Sequence, residues 1–205
     1  REAVSEFETQ LHEKKYASQA AARYGLVFAL MRAKDTSVAE REIEALGALK
    51  LASPMIAGLA AEVKTRAGDL PAAQAIYRDA LQRFPLAKSL IYGYAESLFA
   101  GRQYNQALVF LDSQLQLNYA DFKLYGLQAK NYAALGKRLQ QHRAQAEFYL
   151  LQGQLGQAVE QLQFAQQDSD GNFHEQSAVD ARLRELRILQ AEEAKLKKNG
   201  AWNGG

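Results

Sequence analysis

A chain of 205 residues can bury one sizeable core or an elongated array with a continuous one. Its 48% hydrophobic and 23% charged content exclude wholesale disorder, and the absence of cysteine excludes disulfides, thiolate-bound zinc and thiol catalysis. A net charge of +2 with no Lys/Arg-rich face gives no electrostatic basis for binding nucleic acid or an acidic membrane.

Strand signals are almost absent: no run of β-branched residues alternates with period two. Apolar residues recur instead at three- and four-residue spacing, as in Val4, Phe7 and Leu11 near the start and Val179, Leu183, Leu186 and Leu189 near the end. Gly and Pro, with Pro54, Pro71 and Pro85 the only prolines, punctuate the pattern into short helices. The expected helices cover 2–14, 18–33, 36–51, 54–67, 70–84, 88–100, 104–117, 121–135, 138–152, 155–167 and 177–198. The longest loop expected is Asp168 to Glu175, after which Ser177 and Asp180 form a capping-box-like start to the last helix. Lys195, Lys197 and Lys198 read as a solvated helix end, and the Gly-rich tail 199–205 as a frayed terminus. No window approaches the roughly 20 apolar residues of a membrane span. Starting at Arg1 without an initiator Met or a signal-like segment, the chain reads as a piece of something longer.

An internal period runs through the middle of the chain. Ala73 to Ala107, Tyr77 to Leu111, Ala61 to Ala95 and Ala95 to Ala129 are all steps of 34, and Gly68, Gly101 and Gly136 keep the same beat within one residue. Within residues 67–85, AGDLPAAQAIYRDALQRFP, Gly68 ends one helix in the left-handed cap conformation. Asp69 caps the next helix, Pro71 occupies its first turn, and Ala73, Tyr77 and Ala80 face the seam between the two. Pro85 then stops the second helix. The pattern resembles the tetratricopeptide unit, two antiparallel helices packed through small residues. The clearest units are 54–87, 88–121 and 122–167, with a weaker copy at the start marked by Tyr24, Gly25, Phe28, Ala39, Ile43 and Pro54 and expected to have longer turns. Ala129 to Ala146 and Gly136 to Gly153 are steps of 17, so the rhythm slips by half a unit and the helix at 138–152 carries a first-helix signature. The expected fold is therefore all-α: a tetratricopeptide-like, right-handed superhelical solenoid of about eleven helices, with irregular repeats and a C-terminal capping helix. It forms a single domain over 1–198.

Catalytic patterns do not emerge. His12 and His174 each begin a His-Glu pair, but the second His of a zinc H-E-x-x-H motif is Tyr16 in one and Ala178 in the other. His142 reads as a surface histidine with no partner. Phosphate loops, nucleophile elbows and dinucleotide fingerprints are missing, and Glu192 with Glu193 reads as a solvated face. The chain is read as non-catalytic, without metal or cofactor.

Function then rests on the outward stripe of each unit's first helix, at unit positions 2, 5, 9, 12 and 13. Counting from Pro54, Lys88, Phe122 and Leu139, the stripe includes Glu62, Arg66, Tyr92, Glu96, Phe99, Lys123, Lys130, Arg143, Glu147 and Leu150. Aromatic anchors among mixed charges suit a groove that binds a protein segment. Positions 5 and 9 hold Gly58 and Glu62, Tyr92 and Glu96, Gly126 and Lys130, Arg143 and Glu147, not the Lys/Asn/Arg set with which tetratricopeptide co-chaperones clamp a terminal carboxylate.

Residues 142–167, HRAQAEFYLLQGQLGQAVEQLQFAQQ, with VDARLRELR at 179–187 and YGLVFAL at 24–30, resemble the C-terminal repeat domain of periplasmic β-barrel assembly-enhancing metalloproteases of the BepA type. The resemblance implies a periplasmic location and a docking role toward the outer-membrane assembly machinery, unfolded outer-membrane proteins or the parent's own protease domain. It places zinc only in a peptidase domain outside this chain. A scaffold that packs on and regulates its own catalytic domain, and a generic adaptor, are the alternative readings.

Overall fold

The structure is a computed structural model that describes residues 1–202, with side chains placed through residue 196. Eleven α-helices make up the described residues: α1 (Glu2–His12), α2 (Gln19–Arg32), α3 (Thr36–Gly47), α4 (Pro54–Arg66), α5 (Leu70–Arg83), α6 (Lys88–Ala100), α7 (Tyr104–Leu117), α8 (Phe122–Ala134), α9 (Arg138–Leu151), α10 (Leu155–Gln167) and α11 (Phe173–Trp202). They form two compact units, Arg1–Gly101 with α1–α6 and Arg102–Gly205 with α7–α11, of which 203–205 lie outside the described residues.

Side-chain caps start the helices where the sequence places them. Ser18, Asp35, Ser53 and Asp69 each accept a hydrogen bond from the backbone N–H three residues on, satisfying a donor that the first helical turn leaves free. Pro54 and Pro71 fall in first turns, where a missing N–H costs nothing.

The turns reveal a stricter period than the glycines suggest. Lys34, Gly68, Arg102 and Gly136 all have positive φ, at 63°, 84°, 56° and 70°, and stand 34 residues apart. At Lys34, Gly68 and Gly136 the left-handed residue folds its N–H, and that of its successor, back onto the preceding helix: Asp35 N–H to Leu30 O, Asp69 to Lys64 O and Lys137 to Tyr132 O. Gly101 has an ordinary φ of −76°, so the conformational demand at this beat falls on Arg102. Within the first copy the Lys34 turn joins α2 to α3 with the same hydrogen bonds and is no longer than the rest, but the connection onward to the next copy is longer, spanning 48–53 where 84–87 and 118–121 serve the later copies. Gly153, with φ of 74°, repeats the device half a period after Gly136.

Alanines form the seams. Ala61, Ala73, Ala80 and Ala95 are buried in the first unit, and Ala107, Ala129, Ala146, Ala158 and Ala165 in the second. Each lets two helix backbones approach more closely than a branched side chain would allow. The first unit's core joins Leu26, Val27, Leu30, Ile43, Leu46, Leu59 and Val63, against which Phe7 and Leu11 of α1 pack. In the second unit Leu155, Val159 and Leu162 of α10 meet Leu183 and Leu186 of α11. The apolar stripe of α11 ends at Leu186; Leu189 is 41% exposed and lies off it.

Three helix ends depart from expectation, one of them the end of α11, which runs to Trp202 and not 198 and so enters the tail expected to be frayed. Helix α3 stops at Gly47, not 51, because Lys50 turns left-handed and the chain enters the Ser53 cap. Helix α11 begins at Phe173, four residues before the expected Ser177. Its capping box is Asn172 with Glu175: Asn172 Oδ1 accepts from the Glu175 N–H at 3.0 Å and Glu175 Oε2 from the Asn172 N–H at 2.8 Å. Asp180 is already inside the helix, where it accepts from Gln166.

In the first unit a Cβ placed on Gly93 of α6 would lie 2.5–2.7 Å from the ring and hydroxyl of buried Tyr77. The Gly93→Ala substitution is expected to destabilise the first unit by about 1–3 kcal/mol through overpacking, whereas Gly47→Ala, with open space around its Cβ, should not. Thermal denaturation of the two variants side by side checks the difference.

Candidate functional site

The second unit contains a cavity of about 480 Å³ enclosed by three helices and floored by a fourth. Tyr125, Gln128 and Tyr132 project from one face of α8, and Gln140, Arg143, Ala144 and Glu147 from one face of α9. Ala178, Ala181, Arg182 and Glu185 of α11 form the opposite wall, and Leu162 of α10 lies at the base.

The local sequence explains why α9 and α11 stand at this spacing. The loop between α10 and α11 folds onto the start of α9, which has no cap of its own. Asp170 supplies one, its carboxylate accepting from the N–H groups of Arg138 at 2.6 Å and Leu139 at 3.1 Å. Arg138 pairs with buried Asp168 at 3.1 Å, and Gln176 donates to the Asp168 carbonyl. Two polar ties then cross from α9 to α11. Gln140 donates to Glu175 at 2.6 Å, and Glu147 accepts both Nε and a terminal nitrogen of Arg182 at 2.8 and 2.7 Å. Both ties link residues 35 apart, so α9 and α11 run parallel in fixed register, about 10 Å separating the ties along each helix.

The electrostatics inside the cavity are uneven. Arg182 is bracketed by Glu147 and Glu185, whose hydrogen bonds hold its guanidinium even more firmly protonated than usual. Its bidentate contact with Glu147 is the geometry in which an ion pair between partly buried side chains contributes most. Arg143 makes no hydrogen bond or ion pair with any described residue. Its field is nevertheless felt by Tyr132 and by Glu175. Burial raises the hydroxyl pKa of both Tyr125 and Tyr132, which only reinforces the neutral donor form that tyrosine already has at neutral pH.

The structure thus brings Arg143 and Glu147, two residues of the expected stripe, into one cavity. Lys130 is exposed on α8 outside its lining, and Leu150 follows on α9. In the first unit Glu62 pairs with Arg66 at 2.9 Å, and Arg66 also donates to the Met31 carbonyl at the end of α2. Glu62 and Glu96 both act on Tyr77, which burial and these charges push up to about 12. Tyr92 and Phe99 are half-buried in α6 and Glu96 is exposed. Tyr125 and Tyr132 of α8 line the cavity beside Arg143 and Glu147. Arg182 and Glu185 were hidden because nothing local to α11 marks them; Arg182 is defined by Glu147, 35 residues earlier on α9, and Glu185 by Arg182 itself.

His142 corrects its reading as a surface residue without a partner. Its Nδ1 donates to Gln161 Oε1 at 2.8 Å, its Nε2 lies 3.7 Å from buried Asp168, and its ring rests 5.5 Å from Phe164. No group of three or more metal-ligating side chains occurs among the described residues. No helix among them is long and apolar enough to cross a membrane.

Residues 65–130 match the tetratricopeptide-repeat family model. The fold is a tetratricopeptide-repeat fold. A solved structure of MamA from residue 41 to its end, from Desulfovibrio magneticus RS-1, is similar over 86% of this chain and 98% of its own, at 15% identity and a TM-score of 0.57. A tetratricopeptide repeat protein from Parabacteroides merdae ATCC 43184 is similar over 90% of this chain and 91% of its own, at 14% identity and a TM-score of 0.51. At these identities the similarity concerns the fold alone. No curated protein matches the chain.

Glu175 carries the pH dependence of this corner. Hydrogen bonds from Asn172 and Gln140 hold its carboxyl below its ordinary value of 4.5. A depressed folded-state pKa stabilises the fold above the ordinary value and loses that contribution as pH falls through the lower, folded one. Glu175→Gln is therefore expected to lower the melting temperature at neutral pH, with the gap to wild type closing between about pH 5 and pH 3. Melting curves of both proteins across that window check it.

Proposed function

We propose that this chain is a non-catalytic protein-interaction module whose second-unit cavity takes a segment of a partner protein. The observation that carries the reading is the cavity itself: two tyrosine hydroxyls, amides and an arginine that makes no hydrogen bond within the chain converge around an apolar base. Such a surface combines aromatic anchors with a polar rim, the composition by which protein segments are held. Tetratricopeptide folds supply that kind of concave surface between stacked helices.

The finer reading follows the resemblance of residues 142–167 and 179–187 to β-barrel assembly-enhancing metalloproteases. On this proposal the chain works in the periplasm. It docks a zinc peptidase, carried on another part of the protein, onto the outer-membrane assembly machinery or onto stalled barrel proteins. What supports it is that the resembling block coincides with α9, α10 and the buried face of α11, the elements that build the cavity.

Purified β-barrel assembly complex and an unfolded outer-membrane protein, offered separately to the immobilised chain, test both levels. Ala181→Trp fills the cavity from an exposed position, and Arg143→Glu reverses the charge of its arginine. At least one probe is expected to be retained by wild type and released about tenfold more readily by both variants, with circular dichroism unchanged. Equal retention by all three removes the cavity from the account. Retention of neither probe removes the outer-membrane role and leaves the adaptor and self-regulating readings.

A further inference from the structure

We infer that the second-unit cavity recognises an acidic side chain, Glu or Asp, presented from within a partner segment that runs along the trough between α9 and α11. The inference rests on the docking reading above and names the chemistry of what docks.

The register of the two helices is fixed by their ties. Gln140 is tied to Glu175 and Glu147 to Arg182, each pair 35 residues apart. Arg143 lies between Gln140 and Glu147 on the same face of α9, and the residue 35 positions beyond it is Ala178. Where a third tie would cross the trough, α11 therefore offers a methyl group to a guanidinium. Ala181, one turn further on, is equally short, and both alanines are exposed, so the space facing Arg143 is open.

Nearby carboxylates are already committed. Both oxygens of Glu175 accept hydrogen bonds, from Gln140 and from the Asn172 N–H. Both oxygens of Glu147 accept from Arg182, and Glu185 accepts from the remaining guanidinium nitrogen. Arg143, only half-exposed, is hydrogen-bonded to no carboxylate of the described residues, although the Glu175 charge lies within its electrostatic reach. A planar guanidinium with free donors in a partly desolvated trough selects a carboxylate, which it binds in bidentate fashion. The half-buried Tyr132 hydroxyl, which Arg143 is near enough to influence, is a neutral donor that adds to the same preference.

The shape argues for a side chain rather than a chain end. Lining residues extend over two helical turns on α8, α9 and α11, a trough about 10 Å long. That length fits about three residues of extended chain. The second cation, Arg182, is neutralised by its own glutamates and offers nothing further to a terminal carboxylate.

Positional pools of nonapeptides, acetylated and amidated to remove terminal charges, test the inference by fluorescence anisotropy. The central residue is fixed as Glu, Asp, Gln or Lys and the others are degenerate; a further Gln pool carries a free C-terminal carboxylate. Wild type is expected to bind the Glu or Asp pool about tenfold more tightly than the capped Gln pool. Arg143→Gln should erase that preference. Ala178→Glu, which supplies the missing carboxylate from within, should erase it too and raise the melting temperature by about 2–4 °C, with no such rise in the Arg143→Gln background. A preference that survives Arg143→Gln, or one shown only by the free C-terminus, overturns the inference. Binding of all pools alike, lost in Ala181→Trp, also overturns it but leaves the cavity as a docking site. Binding unaffected by Ala181→Trp, or absent from every pool, sinks both.

Discussion

Everything in this chain depends on a turn in which one residue goes left-handed and two N–H groups fold back onto the helix just ended. At Lys34, Gly68 and Gly136 the same hydrogen bonds close the turn, and with Arg102 the left-handed positions keep one 34-residue period. The turn is short enough to force the next helix antiparallel, and the residue after it caps that helix, by a side chain at Asp35 and Asp69. Once direction is set this tightly, the paired helices must meet at close range. The buried alanines are the consequence. A non-glycine in the left-handed region costs roughly 1 kcal/mol, yet Lys34 and Arg102 accept it, which shows how strongly the rest of each helix pair dictates the turn.

That constraint also explains how the sequence could be read. Helix positions follow from apolar spacing, caps and prolines, so most ends lie within two residues of where those signals put them. Buried alanines at steps of 34 identify the pairing because no other local pattern needs a small residue at that interval. The signal fails where glycine is taken as the marker of a left-handed turn: Gly101 is an ordinary helix terminus and Arg102 does the turning. It fails again at α11, where Ser177 and Asp180 make as good a local capping box as Asn172 and Glu175. What decides between them is tertiary: Gln140 holds Glu175, and Gln166 holds Asp180.

The candidate site was half legible. Arg143 and Glu147 follow from counting along a first helix, because a helix face is a matter of sequence spacing. Their meaning depended on α11, and nothing in α11 alone distinguishes Arg182 from the other arginines of a charged helix. Arg182 becomes special by standing opposite Glu147, a relation set by the intervening loop. Asp170 capping α9 and Asp168 pairing with Arg138 anchor that loop, and these contacts join residues 30 or more apart.

The half-unit slip now has a physical role. A regular array would place a second helix after Gly136. Here α9 follows the Gly136 turn as a second helix does but carries a first-helix face, and the Gly153 turn leads on through α10; α11 then lies parallel to α9, as alternate helices of an antiparallel array do. Parallel helices present equivalent faces in the same direction, which is what lets ties recur at a constant offset of 35. A constant offset makes any missing tie conspicuous, and Ala178 opposite Arg143 is the missing one. An arginine left half-buried without its carboxylate weakens the fold slightly, since removing one partner of such a pair costs more than the pair itself supplies. The unit tolerates that weakness because Gln140–Glu175 and Glu147–Arg182 hold the trough open on either side of it.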